Sequence, residues 1–146
     1  MKTNLRAVGA IVVGVITAFV VITLAELFVS RIYPMPAGVT AGNAAAMREW
    51  ISHLPAGAFL LVLCGWVLGA LAAGFVSAKI ERPASARRAA IIGGALLAAS
   101  VLNMLRIPHP IWMWVGAIAL IVPAALLGAR VASGPTVAGG IPATAA

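Results

Sequence analysis

Four apolar runs dominate the chain. The first extends from Ala7 to Val29 and is interrupted only by Thr17, Thr23 and Glu26. The second, Pro55 to Ala78, carries no charge. The third, Ala89 to Leu105, is shorter and holds Ser100 and Asn103, and the fourth, Ile111 to Ala129, contains Pro123. A helix needs about 20 mostly apolar residues to cross the hydrocarbon core of a bilayer, and all four runs are near that length. An open strand cannot satisfy its backbone in lipid, and the alternation of a membrane barrel is absent. The pattern therefore predicts an all-α integral membrane four-helix bundle, with spans at about 7–29, 55–78, 89–105 and 111–129.

The segments between the spans differ in kind. Residues 30–54 form the one long connection, which opens on the turn-forming stretch Tyr33-Pro34-Met35-Pro36-Ala37-Gly38. Within it Met47, Trp50, Ile51 and Leu54 recur at i, i+3, i+4 and i+7, while Arg48, Glu49 and Ser52 fall elsewhere. That periodicity predicts a short amphipathic helix over 43–54, too short to span, lying at the outer interface. Asn43 is its expected N-cap. The 79–88 connection is short and basic. From Ser133 to Ala146 the chain is mostly Gly, Pro, Ala and Thr, which predicts a disordered tail after a single membrane domain over 1–132.

Composition sharpens this picture. The chain has 146 residues, 63% apolar and only 9% charged, with a mean hydropathy of +1.11. A soluble domain is about one-quarter charged, so a soluble fold and a disordered chain are excluded. Ten Lys/Arg against three acidic residues give +7. The bases cluster at the ends of the apolar runs, so the charge reads as an orientation signal and not as a nucleic-acid footprint. One side collects Lys2, Arg6, Lys79, Arg82, Arg87, Arg88 and Arg130; the other holds Arg31, Arg48 and Arg106. The positive-inside rule then places both termini in the cytoplasm. Tyr33, Trp50, Trp112 and Trp114 fall together on the outer side, where amphipathic rings favour the interface. The first run is longer than the 7–15 apolar residues usual in a signal peptide, which predicts an uncleaved anchor.

Several segments resemble a family of small four-span bacterial inner-membrane proteins with no assigned activity. They are Glu26…Tyr33-Pro34-Met35-Pro36-Ala37-Gly38, Leu54-Pro55-Ala56-Gly57-Ala58, Leu68-Gly69, the segment Asn103-Met104-Leu105-Arg106-Ile107-Pro108-His109-Pro110-Ile111-Trp112, Pro123 and Leu127-Gly128. The resemblance covers roughly residues 5–131. It implies the four-span fold and a bacterial inner membrane, and it brings no catalytic residues.

Candidate chemistry is sparse. Glu26 is the one acid inside a span, where an ionisable group is costly. It reads either as a proton or cation site or as a carboxylate paired with an arginine. Asn103 sits at a similar depth: both lie roughly 9–12 Å outward from the middles of their spans at 1.5 Å per residue. Arg106 follows one turn later. A polar intramembrane network of Glu26, Asn103 and Arg106 is therefore expected to join the first and third spans near the outer surface. Gly65, Gly69 and Gly74 in the second span, and Gly93 and Gly94 in the third, are expected at close helix–helix contacts. Cys64 reads as a small core residue. His53 and His109 read as outer loop residues whose spacing shows no convergent metal or haem site. No phosphate loop, nucleophile elbow or zinc motif is present. The expectation is a non-enzymatic structural or accessory protein without cofactor or metal. Its expected partners are the lipid bilayer and either a homo-oligomer or a larger membrane complex, and not nucleic acid. The alternative is a small ion- or proton-coupled transporter that uses Glu26.

Overall fold

A computed structural model of the protein describes residues 2–40, 42–81 and 86–134. Five helices follow in order: α1 (Lys2–Ile32), α2 (Ala44–Ser52), α3 (Ala56–Ile80), α4 (Ala86–Arg106) and α5 (Ile111–Ser133). All but α2 are long and apolar enough to cross a membrane. The four-helix bundle expected from the apolar runs is thus the observed architecture. Arg82 and the tail beyond Gly134 lie outside the described residues.

Local sequence sets the helix ends. Pro55 and Pro110 sit at the N-caps of α3 and α5 with φ of −67° and −60°. Proline suits this place, because the first N–H groups of a helix have no partner within it. Asn43 caps α2, its side-chain oxygen accepting from the Ala46 N–H at 3.1 Å. The turn before α2 passes through Gly38 at φ +92°, a backbone region that residues with a Cβ seldom enter. Helix α5 continues through Pro123. Polar residues inside the spans bond to their own helix: Thr17 donates to the Val13 carbonyl at 2.8 Å, and the buried Ser100 to the Leu96 carbonyl at 2.9 Å.

Helix α3 is the centre of the bundle, packing on α1, α5 and α4. It runs antiparallel to α1, with Gly65 opposite Ala25, Gly69 opposite Ile22 and Gly14 opposite Ala73 and Ser77. It runs parallel to α5, with Gly116 opposite Leu63 and Gly128 opposite Leu71 and Phe75. Helix α4 packs chiefly on α5 and touches α1 only slightly. Ile92, Met113 and Ile121 are the largest fully buried side chains. One end of the bundle carries the start of α1, the end of α3, the start of α4 and the end of α5; the other carries α2 and the 107–110 link. We call these the terminal end and the loop end. Tyr33, Trp50, Trp112 and Trp114 all lie at the loop end.

The terminal end is closed by small residues. Ala78, Ala89, Ala129 and Ala132 form a buried cluster there. Beside it Arg88 Nε lies 3.1 Å from Glu81 Oε2, an ion pair that ties the start of α4 to the end of α3. Lys79 lays its ammonium over the Phe75 ring at 5.3 Å, keeping its stem along the apolar surface.

Two sequence expectations fail here. Cys64 is exposed on α3, not in the core. Gly94 is exposed, and a Cβ added to it would meet nothing within 4 Å. Both have the same cause. Lipid is as apolar as a protein core, so hydropathy does not tell the inner face of a span from the outer one. Gly65, Gly69, Gly74 and Gly93 do sit at close approaches, to Ala25, Ile22, Ala125 and Val122 respectively.

A candidate binding cavity beneath the short helix

The loop end holds a cavity of about 320 Å³. Helix α1 supplies Glu26, Val29 and Ser30, with Tyr33 just beyond its end; the four recur at i, i+3, i+4 and i+7, and the Tyr33 N–H still donates to the Val29 carbonyl at 2.8 Å, which keeps it on the same side. Helix α3 supplies Ala58, Phe59 and Val62, and α4 supplies Asn103, with Ile107 just beyond its end. Met47, Trp50, Ile51 and Leu54, the predicted apolar stripe, form the roof. Ile51 is buried and the other three are half-buried, whereas Arg48, Glu49 and Ser52 face outward. No α-carbon of α2 comes within 8 Å of an α-carbon in another helix. The roof therefore rests on the bundle through side chains alone.

His109 closes the cavity from the 107–110 link. Sequence reasoning leaves it as an outer loop residue; the structure instead turns its ring inward. It packs edge-on to Phe59 at 5.9 Å and tilted to Trp66 at 6.0 Å. Trp66 is only 4% exposed. Pro108 and Pro110 bracket His109 and fix this reversal, a feature that hydropathy does not encode. The Nδ1 atom lies 2.6 Å from the Ile107 carbonyl oxygen. A carbonyl only accepts, so Nδ1 carries the proton, and neutral His109 presents Nε2 as an acceptor. A second cavity of about 380 Å³ also reaches His109 and Phe59, which thus form part of the wall between the two.

The expected Glu26–Asn103–Arg106 bonding is not formed. Glu26 and Asn103 line the same cavity, as their matched depths predict. Arg106 is exposed and does not line it. As the last residue of α4 it has free water within reach of its long side chain, which is where an arginine near a membrane surface extends. Among the described residues no hydrogen bond or ion pair joins Glu26 to Asn103, Arg106 or any other group. Glu26 is the only acid in the lining, and no lysine or arginine is there. The sequence reading gives Tyr33 no place in this site, yet its hydroxyl lies beside Gly57, in the first turn of α3. The periodicity that starts at Glu26 was the available signal for it.

The remaining candidates diverge. His53 is exposed, and its Nδ1 lies 2.8 Å from the Glu49 carbonyl oxygen at the end of α2. It does not share the Glu26 cavity with His109. Among the described residues no three His, Cys, Asp or Glu side chains converge to hold a metal ion. The chain matches no family model, no curated protein and no solved structure.

Proposed function

We propose that this is a non-enzymatic accessory protein of a bacterial inner membrane, a member of the small four-span group its proline segments resemble. Its cavity under α2 is a binding site open to one end only. The observation that supports this reading is the contrast between the two ends of the bundle. The cavity lining reaches no deeper than Glu26, Val62 and Asn103. Beyond it α3 and α5 meet at backbone distance where Gly74 faces Ala125 and Gly128 faces Leu71, and the alanine cluster closes the terminal end. A transport route needs a path past those contacts. The exposed position of α1, whose most apolar stretch is only 17% buried against 33–39% for the other spans, supports assembly with a second copy or a larger complex along that edge.

The coupled-transporter reading keeps one observation in its favour, a carboxyl group in a cavity with no bonded partner. Flux separates the two. In proteoliposomes the natural chain and Glu26→Gln should both leave proton and organic-cation flux at background. A flux present in the natural chain and lost in Glu26→Gln would overturn the accessory reading.

The orientation proposed with this function has both termini in the cytoplasm, on the strength of the asymmetry in basic residues. In a Cys64→Ala background, a cysteine at the exposed Gly42 should react with a membrane-impermeant maleimide in intact cells whose outer membrane has been opened. A cysteine added after Ala146 should react only after lysis. The reverse labelling would invert the orientation.

A further inference from the structure

Resting on the reading of the cavity as a binding site, we propose that its ligand is a protonated amine carried on a compact apolar body. The argument is an inventory of what the lining offers. Its polar groups include several acceptors. Ser30 Oγ already donates its proton to the Leu27 carbonyl at 2.8 Å, so it presents lone pairs alone. His109 spends its Nδ1 proton on Ile107, so neutral His109 likewise presents an acceptor. Glu26 as a carboxylate accepts only. Asn103 and Tyr33 add an amide and a phenol, each able to accept as well as to donate. An incoming group that donates several hydrogen bonds can be satisfied here.

Charge points the same way. Among the described residues the lining holds one carboxyl group and no lysine or arginine, and that carboxyl group has no bonded partner. A cation that leaves water must regain both its charge partner and its hydrogen bonds, and this wall supplies both. The rings of Tyr33, Trp50 and Phe59 lie in the same wall, and aromatic faces attract cations. The rest is aliphatic or methionine, suited to an apolar body. At about 320 Å³ the space is near the lower end of known small-molecule sites, which start at about 300 Å³. A free amine and the ammonium headgroup of an aminolipid share this chemistry. Among the described residues no lysine or arginine lines the cavity to take up a lipid phosphate.

The test uses three probes with one ring and different heads: cyclohexylmethylamine, cyclohexylmethanol and cyclohexanecarboxylate. Each is titrated near neutral pH against the purified full chain in phosphatidylcholine vesicles, by calorimetry and by tryptophan fluorescence. The amine should bind at least about tenfold more tightly than the alcohol, and the carboxylate should not bind. Glu26→Gln should remove the preference for the amine while its helical content and melting stay those of the natural chain. Repeating the titration with phosphatidylethanolamine in the vesicles identifies the source. A weaker apparent affinity for the amine there assigns the site to the lipid headgroup, and an unchanged one assigns it to a free amine. If amine and alcohol bind alike, or if Glu26→Gln keeps the preference, the amine proposal falls while the binding-site reading stands. If none of the three probes binds, the binding-site reading itself falls.

Discussion

Gly74→Leu should prevent the bundle from closing. A Cβ at this position would land on the carbonyl oxygen of Ala125, with the carbonyl carbon at 2.8 Å and Cα at 3.1 Å. These are backbone atoms of α5, so relief requires moving the whole helix. The facing contact is equally tight, since a Cβ on Gly128 would meet the Leu71 carbonyl and the Phe75 nitrogen. Overpacking a core that can adjust costs about 1–3 kcal/mol; where helix backbones already touch, the cost should exceed that range. We expect even Gly74→Ala to lower the unfolding midpoint in detergent clearly, and Gly74→Leu to yield no monodisperse protein. Gly94→Ala is the control. It meets no atom within 4 Å, and alanine is the better helix former by about 1 kcal/mol in water, so this variant should be neutral or slightly stabilising. If Gly74→Ala unfolds as the natural chain does, the α3–α5 crossing is not as close as described.

Trp66→Ala should be the most damaging truncation on the inner face of α3. The residue is 4% exposed and lies in the main core cluster. In soluble cores such a truncation costs about 3–5 kcal/mol. In a bilayer the transfer part of that cost shrinks, because lipid is itself apolar, and the packing loss remains. An effect of about 2–3 kcal/mol is therefore expected on that scale. A second readout is local. His109 would lose one of its two ring neighbours, so the ring resonances of selectively labelled His109 should shift. Trp66→Phe should restore most of the stability. A Trp66→Ala chain that keeps both its stability and the natural His109 spectrum would contradict the packing described.

The parts of this molecule that were legible in its sequence share a property: polarity changes sharply along them. The spans are apolar blocks with basic ends. Helix α2 has one apolar stripe against a polar remainder, so its four inward residues and its Asn43 cap follow from periodicity. Glu26 and Asn103 were placed at one depth because depth is only a count along each helix. What failed was direction around a helix. Cys64 and Trp66 are two residues apart in the same apolar run, yet one meets lipid and the other the core. Gly93 and Gly94 are adjacent, and only the first touches another helix. The spacing from Asn103 assigns Arg106 to the network, but a long basic side chain at a helix end extends toward the interface and not back toward Glu26. His109 was missed for another reason: its inward turn is set by two prolines in a four-residue link and by the rings of Phe59 and Trp66, which are distant in sequence.

The parallel pairing of α3 with α5 has a consequence for how the chain is made. Synthesis delivers the spans in order, N-terminus first. Helices α1 and α3 can dock as soon as the second span has entered the bilayer. The closest crossing among the described residues joins the second span to the fourth, so it must wait until the fourth span has been made. Until then the Gly74 side of α3 is bare, and Gly93 of α4 has nothing to meet. The arrival of the 23-residue α5 covers both at once, along with Leu63. The fourth span is thus the keystone of the bundle, and a nascent chain stalled before it holds an open seam along the middle of the membrane.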